Sequence, residues 1–589
     1  MEKEVEAASV HVEMNPQHIQ NHRKGGFITM PFIIANEALA KLASVGLFPN
    51  MVLYLIGAYN LRVLKATKIL LLWFAATNFA PTVGAFVADA YLGRFLAIGL
   101  GSILSFLGMA VLWLTAMTPK ARPSPCSHSA EVCESATTAQ MAILLSCFAL
   151  ISIGGSGISC SLAFGADQLN QKSKPKMGQR VLESFISWYI ASQAFAVVFS
   201  LTGIVYIQDH FGWKLGFGVP AALMFFSTFL FFLISPRYVK HKPHSSLLTG
   251  FAQVIFVAYK NRNLSFPPKD STGMYHHKKD STLVAPTDKL RFLNKACIIK
   301  DREHYIASDG SASNKWNLCT IEQVEELKAI IKVIPIWSTG IMVGVSTSQT
   351  SLWLLQAKTM NRHVTSKFQI PAGSFGVFMM LAVCVTAAVY DRVIIPLASK
   401  VKGKPVTISA KKRIGIGLVF SCLDFVASAI VESIRRRKAI SEGYLDNPNE
   451  VLDMSAMWLL PHNILCGIAE AFNTIGQSEF YYSEFPSSMS SIAASLFGVG
   501  SAVGNLVASL IVSVVDDVTS RGGKESWVSD NINKGRYDKY YWLLAIMSVV
   551  NALYYLVCSW AYGPSAEEAL KQEERGNTTR VHDQQVEAM

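Results

Sequence analysis

Three charged residues lie within stretches of the chain that are otherwise apolar. Glu37 and Lys41 occur shortly after Pro31, and Glu470 occurs within the sequence Gly467-Ile-Ala-Glu470-Ala. A charged side chain is costly in hydrocarbon unless it is paired or faces a polar cavity, so those that are present commonly serve function. A carboxyl group in such surroundings can carry a proton, because low dielectric disfavours its ionised form. Glu37 and Glu470 are therefore candidate proton carriers.

The spacing of Glu37 and Lys41 suggests a second role for this pair. Residues four apart lie on one face of a helix, so the carboxylate and the ammonium group can neutralise each other. Lys41 is also the main cation available to an anionic ligand in these stretches. For both glutamates the alternative is a carboxyl group that packs between helices and is satisfied by a nearby hydroxyl group. Both interpretations stay open.

Hydroxyl and amide side chains form a second candidate group. Thr347 and Gln349 lie in the sequence Val345-Ser-Thr-Ser-Gln349, and Ser159 follows Gly157-Ile158. Such side chains can hydrogen-bond an anion or a carboxylated ligand. Equally, hydroxyl groups within apolar helices often do no more than bond neighbouring helices to each other.

The elements that hold these residues are long apolar helices. The chain has 589 residues, of which 51% are hydrophobic and 16% charged, and a mean hydropathy of +0.31. Runs of roughly 20 apolar residues recur, which is the length that a helix needs to cross a lipid bilayer. These runs lack the alternation of apolar and polar residues that is typical of the strands of a transmembrane β-barrel. The sequence predicts an all-α membrane protein with twelve transmembrane helices in two six-helix bundles.

The predicted organisation has five parts. Residues 1–30 form a disordered cytoplasmic N-terminus, residues 31–235 the first bundle, residues 236–324 a basic cytoplasmic central loop, residues 325–563 the second bundle and residues 564–589 a cytoplasmic tail. The predicted spans are 31–57, 66–90, 95–117, 138–164, 183–207, 214–235, 326–350, 372–394, 413–433, 455–480, 489–514 and 540–562.

The net charge of +12 reflects the loops of a membrane protein and not a nucleic-acid partner. Lys and Arg gather between the apolar runs on one side, as expected for cytoplasmic loops, and the plasma membrane is the expected location. One basic cluster, from Arg435 to Lys438, falls on the other side and conflicts with this topology. Cys126 and Cys133 share a predicted outer loop, where a disulfide and free thiols are equally compatible with the sequence.

A short motif joins the second and third runs. Gly84-Ala-Phe-Val-Ala-Asp89-Ala-Tyr-Leu-Gly93-Arg94-Phe95 resembles the loop of major facilitator transporters that holds two helix ends at the cytoplasmic surface. Asp89 and Arg94 can pair there. Gly84 and Gly93 would let the helices approach closely.

Further motifs indicate a particular family within that superfamily. They are Phe164-Gly-Ala-Asp167-Gln168, Trp188-Tyr189, Asn294-Lys-Ala-Cys297, Val324-Glu325-Glu326-Leu-Lys328, Ile334-Pro335-Ile-Trp337, Tyr390-Asp391-Arg392, Met489-Ser-Ser and Trp527-Val-x-Asp530-Asn531-Ile-Asn533-Lys534-Gly535. Together they resemble the plant nitrate transporter 1/peptide transporter family, a branch of the proton-dependent oligopeptide transporters. The opening from Gly26 to Glu37 resembles its first subfamily, whose members are linked to low-affinity nitrate and gibberellin-like hormones. The resemblance implies a substrate site between the bundles that opens to each side in turn.

The chain departs from that family at three positions. Relatives carry a second glutamate in the first span and a cation in the fourth, where this chain has Ala40 and Ser159. Loss of one charge alone would strand the other at ~3 to 5 kcal/mol, whereas joint loss relieves the penalty. A histidine that nitrate-carrying relatives place in the seventh span is replaced by Thr347. Glu470 matches the family's tenth-span glutamate.

These observations predict a transporter of a small anion or a carboxylated hormone, with protons as a potential second substrate. A facilitator indifferent to pH and a membrane sensor with little net transport are the alternatives. We expect no enzyme, because the chain has neither a nucleophile with its base nor a metal or cofactor motif. The bilayer is its expected partner, and the pattern indicates no particular oligomeric state.

Overall fold

The computed structural model describes residues 25–125, 134–169, 175–240, 247–267, 274–277, 285–300, 305–307, 310–403, 408–565 and 568. Cys126 and Cys133, together with most of the predicted N-terminal arm and most of the tail, lie outside these ranges. The described chain is almost entirely helical, as the apolar runs predict.

Nine α-helices lie in the described residues of the first half. They are α1 (Met30–Val45), α2 (Met51–Tyr59), α3 (Val63–Val87), α4 (Arg94–Met117), α5 (Thr138–Ile158), α6 (Ser161–Leu169), α7 (Pro175–Phe199), α8 (Val205–Leu233) and α9 (Leu247–Lys260). Wider π-helical turns extend α3 over Ala88–Leu92 and join α7 to α8 over Ser200–Ile204.

The residues described in the second half form nine more α-helices and a few short strands. The helices are α10 (Ile321–Thr339), α11 (Ile341–Thr347), α12 (Thr350–Lys358), α13 (Gly376–Val389), α14 (Ile395–Lys402), α15 (Ala410–Ser441), α16 (Leu460–Glu484), α17 (Ser490–Thr519) and α18 (Tyr537–Tyr562). A π-helical turn, Tyr390–Ile394, joins α13 to α14. Strand β1 (Met360–Asn361) pairs in parallel with β4 (Leu452–Ser455), and β2 (His363–Thr365) pairs with β3 (Phe368–Gln369).

The helices account for the twelve predicted crossings. Nine helices of the described chain are long and apolar enough to cross a membrane, and a broken pair, Ile321–Thr339 with Ile341–Lys358, makes up to ten. One of the nine, Val181–Leu233, has 53 residues. At 1.5 Å per residue it is too long for a single crossing, and Gly212, with φ 75°, divides it into two. With this division and the broken pair, the nine helices give eleven crossings, and the more polar α16 is the twelfth.

Two crossings that the sequence predicts as single helices are broken. Residues 46–50 separate α1 from α2, and Gly340 separates α10 from α11 at an angle of 41°. At the first break a side chain on Gly46 would come within 2.6 Å of Ile204, so glycine permits the close approach of the α7–α8 junction. Runs of apolar residues reveal the length of a crossing and not such interruptions.

The central segment is partly folded onto the second bundle. Helix α9 packs against the turn Arg291–Ala296 and against α10. Val254, Ala296 and Cys297 of this segment share one buried cluster with Leu327 and Phe480 of the second bundle. The described part of the basic segment is therefore more than a linker.

The two ends of the molecule pack differently. We call the end that carries Arg94, Arg237 and Lys411 the basic end, and the end that carries residues 46–62 and 359–375 the opposite end. At the opposite end a single buried cluster joins both bundles, and it includes Tyr54, Phe217, Leu354 and Phe375. At the basic end each bundle has a cluster of its own.

The basic cluster that conflicted with the predicted topology has a structural explanation. Arg435 is completely buried and donates to Glu432 at 2.7 and 2.9 Å and to the Asn533 side chain at 2.8 Å. Arg436 donates to the carbonyl group of Gly535 at 2.9 Å. These two cations hold the loop that carries the tryptophan-to-glycine motif, so they do not act as topological signals.

Candidate functional site

A cavity of about 570 Å³ lies between the two bundles. Helices α1, α3, α4, α5 and α8 of the first bundle and α16 and α17 of the second supply its walls, together with the broken seventh crossing. Its charged lining residues are Glu37, Lys41 and Glu470. Phe48, Phe74, Phe497 and other apolar side chains cover much of the remainder. The site therefore combines three charges with an apolar wall.

Glu37 is buried at the edge of this cavity, with 7% of its surface exposed. The hydroxyl groups of Ser161 and Tyr189 lie beside its carboxyl group. One of its oxygens, Oε2, is buried without a hydrogen-bond partner. An ionised carboxylate with an unsatisfied buried oxygen is unfavourable, so this carboxyl group is suited to holding a proton.

Lys41 is exposed to the cavity and does not form the predicted pair. Within the described ranges it makes no ion pair with Glu37 or any other carboxylate at 4.0 Å or less. The backbone places both residues on one face of α1, but Glu37 is buried whereas Lys41 is exposed. The ammonium group is thus left available to a ligand.

Glu470 faces the same cavity from the second bundle. It is half-buried on α16, and Thr474 lies one turn further along, close enough to hydrogen-bond its carboxyl group. The cavity thus has one glutamate from each bundle, as the sequence predicts.

Thr347 and Ser159 both line the cavity, on opposite bundles. The hydroxyl group of Ser159 donates to the carbonyl group of Ser156 at 2.7 Å, and that of Thr347 donates to Gly344 at 3.2 Å. Their oxygens are left as acceptors, so these groups would have to rotate before they could donate to an anion.

Gln349, in contrast, lies outside the cavity lining. It is 2% exposed, its amide nitrogen donates to the carbonyl group of Val345 at 2.9 Å, and its amide oxygen accepts from Tyr540 at 3.1 Å. The placement predicted from the hydroxyl-rich sequence is wrong for this residue. The break between α11 and α12 turns it towards α18.

The loop motif has the predicted geometry at the basic end. Arg94 Nε lies 3.0 Å from Asp89, and Nη1 lies 2.9 Å from Asp167, an aspartate of another family motif. A side chain on Gly84 would come within 2.4 Å of the Ser156 carbonyl oxygen. Gly93 adopts φ 78°, a conformation that favours glycine.

A polar group lies inside the second bundle around Asp424, an unusual charge in the ninth predicted span for which the sequence suggested only a local hydrogen bond between helices. Asp424 on α15 accepts from Ser346 on α11 at 2.6 Å and lies 3.9 Å from His462 on α16. His462 lies near the start of the tenth predicted span, where an interfacial side chain is expected, but only 1% of its surface is exposed. Its position near a helix start gave no sign that this end of α16 is covered by Trp353.

Comparison with known sequences agrees with these features. The model of the POT family matches residues 95–528. Among curated relatives, Protein NRT1/PTR FAMILY 1.2 of Arabidopsis thaliana is 59% identical over 92% of this chain and 91% of its own length. Protein NRT1/PTR FAMILY 1.1 of the same plant is 55% identical over 96% and 95%.

Solved structures share the fold. A crystal structure of an auto-inhibited POT family peptide transporter has a TM-score of 0.66 at 20% identity and covers 90% of this chain and 97% of its own. A POT family transporter in complex with 5-aminolevulinic acid has a TM-score of 0.59 at 14% identity, covering 92% and 98%. Since the family model spans most of the chain and the plant relatives match nearly all of it, this chain belongs to the POT family of membrane transporters.

Proposed function

We propose that this transporter carries a small amphipathic carboxylate, such as a gibberellin-like hormone, with nitrate as a smaller anion of the same charge. Protons travel on Glu37 and Glu470, and the anionic group binds Lys41. The observation that carries the proposal is the charge set of the cavity, which is lined by an ammonium group without an ion pair and by one carboxyl group from each bundle.

The charges link anion binding to protons. With both glutamates ionised, the three charged groups sum to −1, which repels an anion. With both protonated, Lys41 leaves +1. An anion therefore binds best after proton uptake, and its release favours proton release. An inward proton gains ~2.3 kcal/mol per 100 mV, so this coupling can drive accumulation.

The size of the cavity supports the larger substrate. Cavities of roughly 300 to 1,000 Å³ accommodate drug-sized ligands, and this one has about 570 Å³. Nitrate would occupy a small part of it, whereas an apolar ring system would cover Phe48, Phe74 and Phe497. The neighbour bound to 5-aminolevulinic acid shows that a POT fold can hold a small carboxylate.

We further propose that the basic end is cytoplasmic and that the protein resides in the plasma membrane, with 31–235 and 325–563 as its two moving bundles. The positive charge of the basic end supports this orientation. Because the two bundles are joined at the opposite end, which is then the outer end, this arrangement is inward-facing. Transport requires the opposite end to open and the basic end to close, with the loop around Asp89 and Arg94 as part of the closing contact.

Uptake into expressing oocytes tests the proposal. Nitrate, a dipeptide, gibberellin and abscisic acid are offered at acidic and neutral external pH while membrane current is recorded. We expect carboxylate uptake that rises with acidity and carries inward current. In the double variant Glu37→Gln, Glu470→Gln, uptake should lose its pH dependence, whereas the exposed control Asp517→Asn should retain it. Unchanged pH dependence in the double variant would contradict the proton assignment.

A facilitator is the second candidate, and Ala40 and Ser159 favour it because charges linked to coupling in relatives are missing. It predicts uptake that is indifferent to pH and that stops when the gradient is dissipated. If none of the four compounds enters cells in which the protein reaches the surface, the sensor hypothesis takes first place.

A further inference from the structure

Asp424, Ser346 and His462 form a polar group in the interior of the second bundle, away from the lining of the substrate cavity. Asp424 is completely buried, and the other two are each 1% exposed. Asp424 Oδ2 lies 2.6 Å from Ser346 Oγ, and Oδ1 lies 3.9 Å from His462 Nδ1. Both Oδ1 and Nδ1 are buried without a hydrogen-bond partner.

The surroundings of His462 determine which of its ring nitrogens carries the hydrogen. Asn463 Nδ2 donates to the carbonyl group of Leu459 at 2.8 Å, which fixes the orientation of this amide. The same nitrogen lies 3.3 Å from His462 Nε2. Because an amide nitrogen only donates, Nε2 accepts, and the hydrogen of the neutral ring is on Nδ1. Nδ1 is the ring nitrogen that lies 3.9 Å from Asp424 Oδ1.

The charge of Asp424 has no compensation in this interior. Within the described ranges no lysine or arginine lies within 4.0 Å of it. The titratable side chains that face it are His462 and Cys466 on α16 and Tyr541 on α18. None of these is a permanent cation, and Glu470 lies further along the same face of α16. An uncompensated buried carboxylate is strongly unfavourable and takes up a proton instead.

We propose that Asp424 binds a proton at Oδ2 and that His462 stays neutral, which makes this group a proton site separate from the substrate cavity. The hydrogen on Oδ2 is donated to Ser346 Oγ, reversing the bond that the ionised form would accept. Ser346 then donates to Cys466 Sγ, 3.7 Å away. His462 Nδ1 donates to Oδ1 after a small approach. The net charge of the group is zero, and release of the proton changes it to −1.

The position of the site connects it to the cavity. His462, Cys466 and Glu470 follow at intervals of four along α16 and therefore share one face of that helix. Ser346 directly precedes Thr347, which lines the cavity. A movement of α11 or α16 that serves substrate would thus also alter the contacts of the proposed proton site.

Infrared difference spectroscopy of the full chain in lipid vesicles tests the proposal. The wild-type protein at neutral pH should show a carbonyl stretch of a protonated carboxyl group that is absent from the variant Asp424→Asn. This substitution keeps the shape and neutrality of the protonated side chain, so a thermal transition close to that of the wild type is expected. The control Asp517→Asn removes an exposed carboxylate and should leave the band unchanged.

Two further variants sharpen the test. Ser346→Ala removes the acceptor, so the Asp424 band should move to higher frequency without losing area. His462→Gln should shift the band as well, since Oδ1 loses its donor. Equal band areas in wild type and Asp424→Asn would overturn the proposal, as would a band that neither Ser346→Ala nor His462→Gln shifts. Loss of an imidazolium signal in Asp424→Asn would place the proton on His462 and also contradict it.

Discussion

The opposite end and the basic end are built from similar helices but differ in how the bundles meet. At the opposite end Tyr54 and Phe217 of the first bundle share one buried cluster with Leu354 and Phe375 of the second. At the basic end the corresponding clusters are separate. A transporter that alternates must be able to exchange these two arrangements.

The two ends also use arginine differently, and the largest expected effect follows from this. Arg435→Ala would leave Glu432 completely buried without its cation. Removing one partner of a buried pair costs about 3 to 5 kcal/mol. We expect a large fall in the thermal unfolding temperature of the purified protein in detergent.

Matched variants separate charge from packing at that site. The neighbouring Arg437→Ala removes an exposed cation and should change stability by less than about 0.5 kcal/mol. The double variant Glu432→Leu, Arg435→Met should recover much of the loss, because no buried charge is left unpaired. Similar unfolding temperatures for Arg435→Ala and Arg437→Ala would mean that the buried cluster does not stabilise this end.

The contact between the bundles at the opposite end can be tested next. Gly373 lies where an added side chain would meet Asn50 at 2.4 Å and Pro49 at 3.0 Å. Gly373→Val should therefore destabilise the joined end by about 1 to 3 kcal/mol, measured by thermal unfolding. Gly376 has open space around it, and Gly376→Val is the matched control. Equal effects of both substitutions would show that helix propensity and not the contact is responsible.

At the basic end the corresponding effect should be smaller. Arg94 is 29% exposed and joins Asp89 and Asp167 within the first bundle. Arg94→Ala should cost about 1 kcal/mol, since solvent screens the charges that remain. Arg94→Lys, which keeps the charge but loses the fork that bonds both carboxylates, should give an intermediate unfolding temperature. A loss as large as that of Arg435→Ala would remove the distinction between the ends.

The smallest effect concerns Glu568, which caps the basic end of the second bundle. Burial would raise the pKa of Glu568, but hydrogen bonds from Ser565, Lys411 and Ser409 lower it from 4.5 to about 2. A depressed pKa contributes stability above pH 4.5 that is lost as the pH falls towards 2. Because 28% of the Glu568 side chain is exposed, solvent screens its charge, and Glu568→Gln should cost no more than about 1 kcal/mol at neutral pH.

Thermal unfolding as a function of pH provides the measurement for Glu568. The wild type should be more stable than Glu568→Gln at neutral pH, and the two curves should converge between pH 4.5 and about 2. Parallel curves over that interval would show that Lys411 does not hold the carboxylate.

The sequence predicted the features that depend on local spacing. Asp89 and Arg94 pair as their separation indicates, and the apolar runs gave the number of crossings. Glu37 and Glu470 reach a shared cavity because an isolated carboxylate in an apolar helix needs polar surroundings. These predictions required no knowledge of how one helix turns against another.

Other features depend on the direction in which a side chain faces and on contacts between residues far apart in the chain. The spacing of residues in the sequence does not reveal either. The interruption after Thr347 turns Gln349 towards Tyr540, and no apolar period reveals it. Arg435 resembled a topological signal because its partner Asn533 lies almost a hundred residues away. His462 is buried by Trp353, whose position follows from the break at Gly340.

That break bends the seventh crossing by 41°. Ser346 and Thr347 are neighbours at the end of the short helix Ile341–Thr347, which directly follows Gly340. Neighbouring side chains on a helix point about 100° apart. A turn that moves Thr347 further into the cavity must therefore swing Ser346 away from Asp424. Rotation of this short helix would thus couple ligand binding in the cavity to the carboxyl group of Asp424, which the ligand does not contact.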